Sequence, residues 1–117
     1  MHLKDYPKAI ATRQYELLQL NHEIRRHSQS VNLFTASIDR KIAYDPNLKN
    51  EAQRKARRFE LMQQDSDYLV ASQALEQVTD QRDSLLIELD LLRNQFSVLR
   101  LELREALTVK EHPEFEV

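Results

Sequence analysis

Glycine is missing altogether from these 117 residues, where average usage of about 7% would supply about eight. Left-handed turns, β-bulges and close backbone approaches to a ligand all draw on glycine, so folds built on those devices are excluded. Cysteine is absent as well, which removes disulfides and thiolate metal sites and agrees with a reducing, cytoplasmic setting. Tryptophan is missing and aromatics reach only 7%, whereas charged residues make up 31%. Long helices and coiled coils have that balance; a domain with a thick core does not. No stretch of about 18 uninterrupted apolar residues occurs, so no membrane partner is expected. Met1-His2-Leu3-Lys4-Asp5-Tyr6-Pro7 carries charge where a secretory signal needs an apolar run.

The three prolines leave one interior punctuation mark. Pro7 suits the first turn of a helix and Pro113 lies near the end, so Asp45-Pro46-Asn47 is the strong break between them. After Pro7, apolar residues hold one heptad position through Ile10, Leu17, Ile24, Val31 and Ile38. The companion position reads Arg13, Leu20, His27, Phe34 and Lys41, a narrow seam with polar interruptions. The helix is expected over about 7–43, because the residue before a proline is biased out of the helical region. Asp45 would cap a second helix, with Pro46 at its first position. There the apolar set is Leu48, Ala52, Ala56, Phe59, Met62 and Leu69, followed after a slip of phase by Leu75, Val78, Arg82, Leu85, Leu89, Leu92, Phe96, Leu99, Leu103 and Ala106. This helix is expected over about 46–111, up to His112-Pro113. The all-polar run Gln63-Gln64-Asp65-Ser66-Asp67 is its weak point, able to kink it near 64–67 or re-cap it at Ser66 or Asp67.

The expected fold is thus all-α: a single-domain, long antiparallel helical hairpin or coiled coil. A reversal at Asp45-Pro46 pairs residues whose numbers total about 90, setting Ile38 near Ala52, Phe34 near Ala56, Val31 near Phe59 and Leu20 near Leu69 or Val70. Helices of about 37 and 65 residues measure about 55 and 98 Å at 1.5 Å per residue, so they cannot cover each other. In that register the first helix runs out opposite about residue 83. The overhang carries one stripe of Leu85, Leu89, Leu92, Phe96, Leu99 and Leu103, and a second on the far side of Ile87, Leu91, Val98 and Leu101. Leaving the six residues of the first stripe in water would forgo on the order of 10 kcal/mol. The expectation is therefore a homo-oligomer, most simply a dimer, zipped through both stripes. The alternative is a kink near Ser66 that folds the C-terminal helix back into an intramolecular three-helix bundle.

Charge is unevenly spread. Met1 to Arg58 holds 12 Lys and Arg against 6 Asp and Glu, a balance of +6, and Phe59 to Val117 holds 5 against 13, a balance of −8. Such asymmetry favours a hairpin that lays a basic segment beside an acidic one. Around the turn, Arg40, Lys41, Lys49, Arg54, Lys55, Arg57 and Arg58 outnumber Asp39, Asp45 and Glu51, giving +4 over residues 39–58. This basic tip is either a solvated helix face or a contact surface for nucleic-acid phosphates or an acidic protein. Tyr44 is the one aromatic there, thin for a base-stacking platform.

Lys49-Asn50-Glu51-Ala52-Gln53-Arg54-Lys55-Ala56, followed by Asp67-Tyr68 and by Leu92-Arg93-Asn94-Gln95-Phe96, resembles a pattern in small helical proteins of phages and mobile elements. It covers about half the chain. Some such proteins serve in recombination and single-strand binding, so the resemblance implies association with nucleic acid.

Catalytic constellations are not found in the sequence. Among His2, His22, His27 and His112, the pair His22 and His27 stands five apart, about 140° round a helix, and cannot share a metal as an i, i+4 pair would. His27 falls on the seam, where a polar interruption fixes register. Asp65 and Asp67, or Glu88 and Asp90, point away from each other on a helix. Phosphate cradles and nucleophile elbows need glycine. A non-enzymatic scaffold is expected, with no cofactor and no metal. It would oligomerise through Leu85 to Leu107 and present the basic tip to a protein partner. The runner-up is a nucleic-acid-associated accessory protein. A third reading is a helical adaptor or chaperone whose client covers Ile87, Leu91, Val98 and Leu101.

Overall fold

The computed structural model describes residues 1–111, with side chains through Val109. The expected stop at His112-Pro113 lies outside the described residues. Everything described is helix, turn or short coil, so the chain is all-α. A 3₁₀ turn at Leu3–Asp5 leads into α1 (Tyr6–Ala43), followed by α2 (Glu51–Gln64) and α3 (Ser66–Glu111). The hairpin is antiparallel, as expected. Two compact units divide it, one made of Met1–Leu18 with the chain from Asp83 onward, the other of Gln19–Arg82.

In the second unit, α1 ends at Ala43 as the sequence implies, but the reversal takes seven residues, Tyr44 to Asn50. Asp45 does not cap a helix. Its Oδ1 accepts the Asn47 N–H at 2.9 Å, closing a local turn around Pro46. The cap of α2 is Asn50, whose Oδ1 accepts the Gln53 N–H at 2.9 Å, while Gln53 Oε1 accepts the Lys49 N–H at 2.6 Å. The polar run does interrupt the helix, at Asp65 rather than at Ser66 or Asp67. Asp65 leaves the helical region (φ −76°, ψ 108°) yet donates its N–H to the Leu61 carbonyl at 2.8 Å. Its Oδ1 accepts the Tyr68 N–H at 2.9 Å, so one residue ends α2 and caps α3.

The longer reversal moves the register. Arg58 Nε donates to Asp39 Oδ1 at 2.7 Å, a pair whose numbers total 97 instead of about 90. Ala52, Ala56 and Phe59 consequently face solvent, and Leu69 and Val70 are exposed as well. The pairings Ile38–Ala52, Phe34–Ala56, Val31–Phe59 and Leu20–Leu69 or Val70 are corrected accordingly. The core of this unit holds Ile38, fully buried, with Ile42, Ala71 and Val78. Ile42 takes the seam place expected of Lys41, which is exposed. A straight helix drifts by about 20° per heptad, enough to carry the seam one residue on by its fifth repeat.

In the first unit, Tyr6 is buried against Phe96, ring centroids 5.6 Å apart and tilted by 33°. Such a pair adds about 0.5–1.5 kcal/mol beyond the area it buries. Arg13 Nε approaches Glu88 Oε2 at 3.4 Å. The numbers in these two antiparallel pairs total 102 and 101. α1 therefore does not run out opposite residue 83; its first residue lies against Phe96. Leu85 and Leu89 are buried within the chain, and Leu92, Phe96 and Leu99 are half-buried. The near stripe is thus occupied by the hairpin's own seam at Leu85 and Leu89 and partly at Leu92, Phe96 and Leu99, and α3 runs to Glu111 with no fold-back among the described residues.

Candidate interaction surfaces

On the far side of α3 in the first unit, exposed large apolar side chains recur at helical spacing; others, such as Tyr15, Leu33, Phe59 and Val70, are exposed elsewhere. Ile87 is 72% exposed, Leu91 56%, Val98 54% and Leu101 53%, against 6% for Leu85 and 0% for Leu89. The contrast follows from helix geometry. With the seam at 85, 89, 92, 96 and 99 turned to α1, positions two away project about 160–200° round the axis. Asn94 falls at the middle of this far stripe, between Leu91 and Val98. Glu88 and Gln95 flank it on one side, Asp90 and Ser97 on the other.

The expected ten-residue interface separates accordingly. Leu85 and Leu89 are withdrawn into the hairpin, which corrects their placement on an uncovered overhang. Leu92, Phe96 and Leu99 are partly withdrawn, and Leu103 remains 42% exposed. Met1, Leu3, Pro7, Phe96, Leu99 and Leu103 are among the residues that line an open cleft of about 790 Å³. Asn94 and Val98 border a smaller one of about 410 Å³, also lined by Met1 and Tyr6. Arg100 places its guanidinium carbon 5.4 Å from the Phe96 ring centroid, a cation–π contact at the edge of the aromatic pair. Tyr6 lies outside the core expected from the sequence. Its spacing of four from Ile10 continues the seam by one turn, the one signal that could have found it.

On the polar flank, Arg13 is tied to two carboxylates. It donates to Glu16 Oε2 at 3.0 Å and lies 3.4 Å from Glu88. The Glu16 hydrogen bond and charge, with the Glu88 charge added, raise the guanidinium's pKa above its ordinary value.

The basic tip belongs to the second unit. Arg40 and Lys41 occupy the last turn of α1, where cations oppose the negative end of the helix dipole. Lys49 lies in the reversal; Arg54, Lys55, Arg57 and Arg58 lie on α2. Three of the seven are engaged by carboxylates: Arg54 with Glu51 at 3.7 Å, Arg57 with Glu60 at 3.0 Å and Arg58 with Asp39 at 2.7 Å. Arg40, Lys41, Lys49 and Lys55 make no ion pair among the described residues. Tyr44 is 82% exposed beside them.

Histidine chemistry stays sparse. His27 is half-buried in the seam and lines a cleft of about 310 Å³ with Phe34, Asp67 and Ala71. Among the described residues no group of three or more His, Asp or Glu could hold a metal ion, and no helix is long and apolar enough to cross a membrane. No protein-family model matches the chain, and comparison with curated proteins and with solved structures finds no match in either.

Proposed function

We propose that this chain is a non-enzymatic, self-associating helical hairpin. It joins a second copy through the far face of α3 and offers the cations of residues 40–58 to an anionic partner. The observation that carries the reading is the far stripe: four large apolar side chains, each more than half exposed, on a helix whose opposite stripe is buried at Leu85 and Leu89 and half-buried at Leu92, Phe96 and Leu99. A helix apolar on two opposite sides is made to lie between two layers, and α1 supplies only one. Contiguous exposed apolar surface of this kind marks an interaction site. Sedimentation equilibrium at concentrations up to about 1 mM, the weak end of measurable association, tests it. Concentration-dependent dimer mass is expected, and its loss on changing Ile87 and Leu91 to Ser; a monomer throughout would overturn the reading.

A second reading has an observation of its own. Four cations without ion pairs in and around one reversal suit phosphate contact, whose affinity falls steeply with salt. Changing Arg40, Lys41, Lys49 and Lys55 to Gln should abolish a salt-sensitive shift of single-stranded DNA. No shift by the unaltered chain at low salt would remove nucleic acid as the anionic partner.

A further inference from the structure

The far stripe also specifies how a second copy lies on it; this step rests on the self-association reading above. Its heptad places are Ser84, Ile87, Leu91, Asn94, Val98 and Leu101, and the residues flanking them decide between the two directions of pairing. In a parallel, in-register pair each flank meets the opposite flank of the neighbour five residues on. That sets Asp83 against Glu88 of the other copy, twice by symmetry, and leaves Arg104 facing the apolar Val109. Like charges so placed are destabilising. In an antiparallel pair each flank meets its own counterpart. When Val98 of one copy faces Ile87 of the other, Leu101 faces Ser84 and Leu91 faces Asn94. Arg104 then lies beside Asp83 of the second copy, again twice, and Glu88 meets the neutral Gln95. Asp83 has contacts of its own inside the chain, and a carboxylate can accept a second cation.

We infer that the occupant of this face is a second copy of the chain, its α3 antiparallel to the first, with Ile87 packed against Val98 and Arg104 against Asp83. Ile87 and Val98 are among the stripe's well-exposed residues, at 72% and 54%, so each has apolar surface left to cover. Two such contacts, one at each end, bracket the polar centre where Leu91 covers Asn94. The arrangement is isologous and closes on itself, so it stops at two copies.

The absence of cysteine makes the test clean. Ile87→Cys and Val98→Cys chains of different mass are mixed at high concentration and oxidised mildly. Disulfides need Cβ atoms about 3.5–4.5 Å apart, so the antiparallel pair joins an Ile87→Cys chain to a Val98→Cys chain in clear excess over either homotypic product. A disulfide between two Ile87→Cys chains as the main species overturns the direction while leaving self-association standing. No cross-link, together with a monomer at sedimentation equilibrium, overturns both. Charge reversal supplies a second reading of the same contact: Arg104→Glu weakens association on the order of tenfold, and adding Asp83→Arg restores it. Failure of the double variant to recover, with its helix content unchanged, overturns the Arg104–Asp83 contact.

Discussion

Leu89 and Leu91 are two residues apart on one helix and identical in chemistry, yet the hairpin treats them oppositely. Leu89 is fully buried and Leu91 is 56% exposed. Leu→Ala at a fully buried site costs about 2–5 kcal/mol, the lost transfer energy plus the cavity; better helix propensity of alanine returns a few tenths at most. At Leu91 the same substitution removes little buried surface in the isolated chain and should cost below about 1 kcal/mol. The measurement is urea unfolding followed by far-ultraviolet circular dichroism in a long-path cell at about 0.2 μM, below the concentrations at which the far stripe would associate. With a slope of about 1.5 kcal/mol per molar urea, a loss of about 3 kcal/mol lowers the midpoint by about 2 M for Leu89→Ala, against about 0.5 M for Leu91→Ala. Outright unfolding of the first variant with the second intact carries the same meaning.

The comparison tests the register itself. Had the reversal been tight at Asp45-Pro46, α1 would end opposite residue 83 and both leucines would stand beyond its cover. Equal midpoints for the two variants would therefore refute the pairing of Tyr6 with Phe96 and of Arg13 with Glu88. Tyr6→Ala belongs to the same test and should behave like Leu89→Ala, since Tyr6 is buried in the observed register.

Two further expectations concern polar groups. Asp65→Ala removes the acceptor that caps α3 and should cost about 0.5–2 kcal/mol in the same assay, with Asp65→Asn recovering most of it; a neutral Asp65→Ala would mean that α2 and α3 are continuous. The raised pKa of Arg13 comes from Glu16 first and Glu88 second. A cation whose folded pKa is raised contributes stability in full below its unfolded pKa and loses it only as pH climbs through the folded value. For a guanidinium that window lies in strong alkali. The difference in midpoint between Arg13→Gln and the unaltered chain should therefore be flat from about pH 6 to pH 9, in urea titrations at each pH; a slope across that range would assign the effect to another group.

Much of the fold was legible because the chain withholds the residues that would hide it. Without glycine the end of α1 could be drawn from proline alone, and it falls at Ala43, just short of Asp45-Pro46. The heptad seam from Ile10 to Ile38 and from Val78 to Leu99 was visible as periodicity, since burial along a helix is a property of spacing. The length of the reversal was not visible in the same way. Asp45-Pro46 carries a strong helix-start signal, but Asn50-x-x-Gln53 carries a second, with the amide three residues on that a capping box uses. Two caps five residues apart compete, and α2 starts at the later one while Asp45 closes a turn of its own. Every pairing downstream inherited that choice. The leucines were therefore assigned to the right helix and the right stripes, and the near stripe to the wrong neighbour.

That reassignment changes the strength of association to be expected as well as its location. Six residues of the near stripe, uncovered, would have made a tight obligate zipper, with on the order of 10 kcal/mol per chain at stake. The far stripe has four large apolar residues, each already partly covered, and Asn94 between them. At about 1–1.5 kcal/mol for completing the burial of each, a pair of chains joined as proposed would gather roughly 8–12 kcal/mol. Association costs about 4–15 kcal/mol in lost freedom. With a cost near the low end of that range, the surplus of about 4–8 kcal/mol corresponds to a Kd between about 1 mM and 1 μM. If the proposed pairing holds, a hairpin that folds on its own seam and pairs this weakly would exist as one copy or two according to its local concentration. A partner that gathered several copies by their basic residues would raise that concentration, so binding at residues 40–58 would favour pairing at Ile87–Leu101 through mass action alone.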